Sequence, residues 1–451
     1  MSTLAAPRRR PPSPPSAGLL GHARPFVSDH LGFLTKLFRE YGDVVAMRLV
    51  HRPIVVVNHP DLVEEVLVTK NKSFIKHFAL RQAKMNLGKG LLTSEGDFWR
   101  AQRKLVQPAF HRERIDGYAR SMVALTDRAL AGWADGETRD VQADMMRLTL
   151  EIVAKTLFDA DVADDSAEVN HAMEVLLDNF SSDVGRLFKP PNWFPTPRRR
   201  RGRAASRRLD SIIYRIIAER RASPHEDRGD LLSMLLRAQD EESGAGMSDA
   251  QLRDEAMTLF LAGHETTANT LAWAFWLLAR HPEVEARLHD EVDRVLGDRL
   301  ASLADLTALP YTNAVVTETL RLYPTVWLLG REAIEPIEIG GYPIKPGTTI
   351  YMSEWVIHRD PRNFDDPESY RPERWLDGLE KRIHRYAYFP FGGGPRICIG
   401  NQFALMESAL LLATIARRFR LLLSPNADVV PQPTMTLRPK HGVEVVLQAR
   451  A

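Results

Sequence analysis

The most reactive side chain of this sequence lies in residues 391–400, which read FGGGPRICIG. Cys398 is the only cysteine among 451 residues. A single cysteine excludes a disulfide within the chain, and it excludes the zinc and iron–sulfur sites that need several thiolates. Cys398 is therefore either an inert core thiol or the centre of the chemistry.

The residues around Cys398 favour a reactive thiolate. Three successive glycines allow the backbone to approach a flat partner closely. We expect a helix over about residues 398–419, and the N-terminus of a helix lowers the pKa of a thiol. Arg396 could reach a nearby anion. The segment is suited to binding a metal or to nucleophilic attack, although the sequence offers no obvious histidine as a base.

A second group of polar residues lies inside an apolar segment. Residues 248–281 predict one long helix, which begins with the capping box of Ser248 and Gln251 and is apolar nearly all round. Its centre, residues 263–267, reads GHETT. Ionisable and hydroxyl groups are costly in a buried helix unless they are paired or used, so these residues are either functional or a solvated patch.

Several common catalytic motifs are missing from the sequence. The GHETT segment does not form a zinc-protease site, because Ala268 stands where the second histidine would be needed. We find no G-x-S-x-G elbow and no P-loop. The glycine-rich segment does not match G-x-G-x-x-G either.

Taken together, the motifs resemble those of the cytochrome P450 family, over about residues 20–450. The haem-binding loop F-x-x-G-x-R-x-C-x-G is matched at Phe391, Gly394, Arg396, Cys398 and Gly400. Further similar segments are Glu318–Arg321 (E-x-x-R), residues 372–375 (PERW), residues 262–267 (AGHETT), and the pair Trp99 and Arg103. The resemblance implies a haem b cofactor between the long central helix and the cysteine loop.

The resemblance also implies roles for individual residues. Cys398 would be the axial iron ligand, and Glu265 with Thr266 would deliver protons to dioxygen. Gly263 would leave room for the oxygen. The other implied haem contacts are Phe391, Arg396, Gly400, Trp99, Arg103, Arg331 and Ala262, with Arg100 as a rival for a propionate contact. Glu318, Arg321 and Arg374 would form a structural triad behind the haem loop.

The implied reaction is R–H + O2 + NAD(P)H + H+ → R–OH + H2O + NAD(P)+. The haem unit would occupy nearly the whole chain, so electrons must come from a separate ferredoxin or flavodoxin-type protein. Lys104, Arg112 and Arg114 could form its docking face, or they could be a solvated helix face. The alternatives are a peroxide-driven hydroxylase and a haem-thiolate sensor without turnover.

The residues expected to line the substrate pocket are mostly apolar. They favour an apolar substrate such as a fatty acid or a terpenoid. Any buried segment would have a similar composition, so this prediction is weakly specified. The pocket residues are Met85, Leu87, Phe260, Thr325, Val326, Trp327 and Leu328.

The elements that must position these residues belong to an ordinary globular chain. Hydrophobic residues make up 44%, and the net charge of +2 indicates no general attraction to nucleic acid or to a membrane. Residues 1–18 predict a disordered basic and proline-rich arm, and residues 19–451 a single haem-containing domain. The longest apolar run, residues 271–279, is shorter than the roughly 20 residues needed to span a bilayer. We therefore expect a cytoplasmic monomer without a transmembrane anchor.

The predicted fold class is mainly α with a small β-rich part, of the α+β type. Residues 43–50 and 54–57 predict a hairpin, and helix formers dominate residues 60–330. Short strands and turns follow residue 335, and residues 359–397 are rich in loops. The arginine-rich stretch at residues 198–208 is either the exposed start of a helix or a surface that contacts a membrane or a partner.

Overall fold

A computed structural model describes residues 10–16, 18–110, 112–160, 168–169, 171–173, 175–176, 196–222, 229–237 and 246–450. Helices dominate these residues, as their composition predicted. The α-helices are α1 Ala23–Ser28, α2 His30–Tyr41, α3 Pro60–Glu64, α4 Phe78–Leu87, α5 Gly96–Val106, α6 Arg112–Leu130, α7 Val141–Phe158, α8 Pro197–Ala222, α9 Leu231–Arg237, α10 Asp249–Arg280, α11 Pro282–Leu296, α12 Pro310–Leu322, α13 Glu354–Ile357, α14 Glu373–Leu376 and α15 Asn401–Arg418.

The strands form four small sheets. The bounds are β1 Val44–Leu49, β2 Arg52–Val57, β3 Phe74–Lys76, β4 Thr138–Asp140, β5 Leu329–Ala333, β6 Ile337–Ile339, β7 Tyr342–Ile344, β8 Thr349–Met352, β9 Phe419–Leu423, β10 Pro431–Pro433, β11 Leu437–Pro439 and β12 Glu444–Ala449. The largest sheet has the order β1-β2-β8-β5-β3, and β4-β12-β9 form another. The antiparallel pairing of β1 with β2 confirms the predicted hairpin. The mainly helical α+β fold class is confirmed as well.

Helix α10, called the central helix below, is the longest element and crosses the core. Its predicted capping box is present, because the Ser248 hydroxyl accepts from the Gln251 backbone and the Gln251 side chain accepts from the Ser248 backbone. Most of its side chains are buried, as its all-round apolar pattern required. Trp273 is fully buried and stacks on Tyr323 with ring centres 4.3 Å apart. The predicted helix over residues 248–281 is therefore confirmed.

The helix that follows the cysteine begins later than predicted. It starts at Asn401, with Gly400 as the residue before it, rather than at Cys398. The reason lies in the loop itself: the Cys398 backbone N–H donates to the Phe391 carbonyl at 2.9 Å, and a short 3-10 turn spans Gly394–Arg396. The backbone up to Cys398 is therefore fixed in a closed loop, and a helix can form only beyond it.

The basic arm and the arginine-rich stretch are the two peripheral segments that the sequence singled out. Within the basic arm, the Pro12 carbonyl accepts from the Ala46 backbone at 2.8 Å, and the Pro14 carbonyl contacts His22 at 3.0 Å. The arginine-rich residues 198–208 lie on α8, the helix alternative of the prediction.

Among the described residues, no helix is both long enough and apolar enough to cross a membrane.

Candidate active site

The cysteine loop packs where side chains would not fit. Gly394 has a φ of +64°, and a Cβ atom there would lie 1.9 Å from the Leu67 carbonyl oxygen. At Gly393 a Cβ would lie 2.3 Å from the ring of Tyr386. The glycines therefore let the loop lie directly against the π-helical turn Glu65–Thr69 and the ring of Tyr386.

The Cys398 side chain is accessible to solvent, although protein atoms surround it. Burial raises the pKa of the thiol, while the Gly400 backbone and the Arg103 guanidinium lower it. Arg396, which the sequence analysis expected to reach a nearby anion, is ion-paired with Glu95. The protein alone does not ionise this thiol, and binding a metal ion would do so. The geometry thus favours a metal ligand over a free nucleophile.

Three arginines predicted to bind haem propionates surround the same loop. Arg331 is buried, and burial followed by Arg396 lowers the pKa of its guanidinium to about 10. Within the described residues, its guanidinium donates to the carbonyl of its neighbour Gly330 at 3.0 Å and has no ion pair. Arg103 donates to the Ile397 carbonyl at 2.9 Å. Arg396 keeps a buried Nη1 without a hydrogen-bond partner.

These cations fit the two carboxylates of a haem. Buried guanidinium groups without a matching negative charge are unfavourable, and carboxylates are their natural bidentate partners. Trp99 packs beneath the cluster, with the guanidinium carbons of Arg396 and Arg103 at 4.4 and 5.7 Å from its ring centre. Arg100, the proposed rival, is exposed and pairs with Asp97 at the surface, and its role as a propionate contact stays a prediction.

Sequence reasoning missed two members of the cluster. Lys76 is buried, and its Nζ donates to the carbonyls of Leu91 and Ser94, both at 2.7 Å. Burial, followed by Arg396, lowers the pKa of its ammonium group to about 7. Glu95 accepts from the Lys76 backbone at 2.6 Å and pairs with Arg396. Lys76 reaches the site because β3 pairs with β5, and no local motif signals that pairing.

The central helix presents an accessible strip in an otherwise buried stretch. Ala262 is exposed and Thr266 is half-buried, while Leu261 and His264 are buried. Residues four apart share one helix face, so Ala262 and Thr266 line the strip together. The Thr266 hydroxyl donates to the Ala262 carbonyl at 2.7 Å. A small molecule can therefore reach this hydroxyl.

Gly263 has a different neighbour from the one expected. A Cβ atom on Gly263 would lie 2.9 Å from a methyl carbon of Val153 on α7. The glycine therefore allows close packing of the two helices, and its proposed role in making room for oxygen stays a prediction.

Glu265 is buried and faces a different environment from Thr266. Its Oε1 accepts from the Thr436 hydroxyl at 2.6 Å, and the side chain lines a polar cleft. Thr436 precedes β11, far away in the sequence, and the motif gave no sign of this partner. The two residues of the predicted proton-delivery pair thus lie side by side on the helix with separate surroundings.

The predicted triad is brought together in the core. Arg321 donates to both oxygens of Glu318 at 2.8 Å, and Arg374 donates to one of them at 3.0 Å. Trp375 adds a bond from its indole N–H to Glu318 at 2.8 Å, which the sequence analysis did not foresee. Glu318 and Arg321 are fully buried. This network ties α12 to α14, which precedes the cysteine loop.

The predicted pocket residues occupy mixed positions. Thr325 contacts the Thr270 hydroxyl at 3.0 Å, Trp327 donates to the Thr434 carbonyl at 2.9 Å, and Phe260 stacks on Phe158. Those three are held by core contacts. Leu87 is buried, whereas Val326 and Leu328 are half-buried. The side chains of Met85 and of Arg112, from the suggested docking face, lie outside the described residues; Lys104 is exposed and Arg114 is partly buried.

Comparison with known proteins identifies close relatives. A model of the family described as "Cytochrome P450" matches residues 11–447. The chain is 41% identical to a cyclooctatin synthase of Streptomyces melanosporofaciens over 430 residues, which are 94% of this chain and 93% of the relative. It is 39% identical to a cyclooctat-9-en-7-ol 5-monooxygenase of the same organism, with the same coverage. It is 34% identical to a pentalenene oxygenase of Streptomyces avermitilis, over 97% of both chains.

Proposed function

Because the chain belongs to the cytochrome P450 family and is a monooxygenase of that family, we propose that it hydroxylates a terpenoid at a haem bound by Cys398. The observation that carries the proposal is the accessible Cys398 beside Arg331, a buried guanidinium without an ion pair among the described residues, and beside the unbonded Nη1 of Arg396. A haem bound there would supply dioxygen activation, with one oxygen atom entering the substrate.

The residues of the cysteine loop would hold the cofactor. Cys398 would bind the iron as a thiolate, and the Gly400 backbone contact that lowers its thiol pKa would moderate its electron donation. Arg331, Arg396 and Arg103 would hold the propionates. Lys76, which is only partly protonated at neutral pH because burial lowers its pKa to about 7, lies on the same side of the site. Phe391 would shield the sulfur.

Proton delivery falls to two neighbouring residues of the central helix. Thr266 offers a hydroxyl on the accessible strip, where its proton is shared with the Ala262 carbonyl. Glu265 would pass protons to that hydroxyl from the other side of the helix. Without this supply, electrons from NAD(P)H are lost as hydrogen peroxide rather than used for product.

The substrate class follows from the relatives and the predicted pocket. Two relatives carry names that denote an alkenol and an alkene, which are molecules of low polarity. The half-buried pocket residues Val326 and Leu328 are apolar and suit such a molecule. We therefore favour a terpenoid over a fatty acid, with electrons from NAD(P)H through a separate ferredoxin or flavodoxin-type donor.

The first experiment tests the cofactor and its ligand. Reduced protein treated with carbon monoxide should show the long-wavelength absorption of thiolate-bound haem. Cys398→His should shift the band to that of imidazole-bound haem, because the chain has no other thiol to replace the ligand. An unchanged band in this variant would exclude Cys398 as the ligand.

The second experiment tests the reaction. The enzyme is supplied with NAD(P)H, a ferredoxin and its reductase under isotopically labelled dioxygen, with terpenes, fatty acids and steroids in parallel. We expect one labelled oxygen in a terpenoid product. Faster turnover with hydrogen peroxide alone would favour the peroxide-driven alternative, and oxidation of fatty acids only would contradict the substrate class.

A further inference from the structure

A polar cleft opens beside the central helix, next to Glu265. Its volume is about 360 Å³. Asp140, at the start of α7, and Lys440, after β11, are exposed at the cleft, so solvent reaches it. The buried carboxyl of Glu265 is part of its wall. The other lining residues are Gln142, Ala143, Met146, Asn269, Arg438, Pro439 and Gly442.

A series of hydrogen bonds leads from the cleft wall to Glu265. The Gln142 amide donates to the Asn269 side-chain oxygen at 3.1 Å. Asn269 in turn donates to the Thr436 hydroxyl at 3.4 Å, and that hydroxyl donates to Glu265 at 2.6 Å. Each donor points towards the carboxyl group. The series therefore fixes the orientation of Glu265 at the cleft.

Thr436 is itself rigidly held. The Thr434 backbone donates to the Thr436 carbonyl at 2.9 Å, which closes a tight turn. On the next residue, the Leu437 carbonyl accepts from the Trp273 indole at 3.0 Å, and the Leu437 N–H donates to the Thr325 carbonyl at 2.8 Å. The turn is thus bonded both to the central helix and to the segment after α12. A hydroxyl held in this way can orient a carboxyl group with little freedom.

We propose that water in this cleft resupplies protons to Glu265, and that Thr436 is the positioning residue that holds the carboxyl group towards it. The inference rests on the proposed proton-delivery role of Glu265. Amide groups relay protons poorly, so Asn269 and Gln142 serve to orient and water carries the proton. Each proton that Glu265 passes towards Thr266 is replaced by one that cleft water relays from bulk solvent, so that the water is reprotonated and the carboxyl group returns to its starting state.

The test compares four variants of the holoenzyme, with Thr266→Ala and Glu265→Gln as reference variants. Thr436→Val removes the hydroxyl at nearly constant volume, and Thr436→Ser keeps it. Thr414→Val is the matched control, because that buried hydroxyl bonds only to the Leu410 carbonyl of its own helix in the described structure. Ala143→Phe places a bulky ring at an exposed position of the cleft lining. The carbon monoxide spectrum of each variant establishes that fold and cofactor are retained.

We expect Thr436→Val to raise the share of NAD(P)H electrons recovered as hydrogen peroxide severalfold, since the hydrogen bond that orients the Glu265 carboxyl group is lost. Thr436→Ser and Thr414→Val should match the wild type. Ala143→Phe should increase the solvent deuterium isotope effect on product formation. Infrared difference spectra are recorded after photolysis of bound carbon monoxide, and the Glu265 carboxyl band is identified by its absence in Glu265→Gln. Among the four variants, this band should shift only in Thr436→Val.

The outcomes separate this inference from the proposed function. If Thr266→Ala raises peroxide release but Thr436→Val and Ala143→Phe change neither coupling nor the isotope effect, the cleft and Thr436 have no such role while the monooxygenase proposal stands. If Thr266→Ala and Glu265→Gln also leave coupling unchanged, the proton-delivery pair itself is refuted, and the inference fails with it.

Discussion

Glu407 offers a quantitative test of how this core holds a carboxyl group. It lies on α15, nine positions after Cys398, and is fully buried. Burial raises the pKa of its carboxyl from 4.5 to about 8, and the Thr267 hydroxyl of the central helix offsets this only in part. Neither carboxyl oxygen makes a well-aligned hydrogen bond to a described residue. Glu407 is therefore protonated in the folded protein at neutral pH.

The sign and size of the effect follow from linkage. Because the pKa is higher in the folded state, stability is fully present below pH 4.5 and is lost as pH rises towards 8. Each pKa unit corresponds to about 1.4 kcal/mol, so the total loss is up to about 5 kcal/mol. Glu407→Gln replaces the acid with a neutral amide of similar shape. The variant should therefore gain stability relative to the wild type as pH rises.

The assay is denaturant unfolding of the holoenzymes at roughly pH 5, 6, 7 and 8, because linkage predicts that the stability changes over this pH range. The difference in the free energy of unfolding should grow by up to about 4 kcal/mol across this window in favour of Glu407→Gln. Glu40→Gln, at an exposed and loosely paired site, is the control and should not change the slope. Parallel curves for wild type and Glu407→Gln would refute the reasoning.

Two further substitutions test the supports of the site. Glu318→Gln leaves the buried guanidinium of Arg321 without its counter-charge and should destabilise the protein by about 3–5 kcal/mol in thermal unfolding. Asp116→Asn, at the exposed ion pair with Arg120, should cost less than about 1 kcal/mol, and equal effects would contradict this account. Gly394→Ala should reduce haem retention during gel filtration, because its Cβ would collide with the Leu67 carbonyl. Gly378→Ala has a similar φ of +69° but open space, so similar haem loss there would mean that backbone strain alone is responsible.

Local sequence patterns were sufficient to predict the helices and the hairpin discussed above. The capping box fixed the start of the central helix, and β-branched residues around a short turn fixed the first hairpin. The spacing of Glu318 and Arg321 already placed them one helical turn apart. In each case the deciding interaction lies within a few residues along the chain, where sequence patterns are informative.

The partners of the site residues could not be predicted in the same way. Lys76 reaches Arg331 through a strand pairing across about 255 positions, and Thr436 reaches Glu265 across 171. Such contacts depend on sheet register and on where the chain returns, which no local pattern encodes. The predicted start of α15 was wrong for a related reason. The loop closes through a bond from Cys398 to Phe391, and glycine patterning alone does not reveal that bond.

The placement of Glu265 beside Thr266 follows from helix geometry. Successive residues of an α-helix point about 100° apart, because 3.6 residues make one turn. Two neighbours must therefore face different surroundings: Thr266 faces the accessible strip with Ala262, and Glu265 faces the cleft with Thr436. Under the proposed function, a proton would pass between these adjacent side chains, from the cleft to the accessible strip. Because the two residues face different surroundings, Glu265 needs an anchor of its own, and Thr436 of the C-terminal turn supplies it.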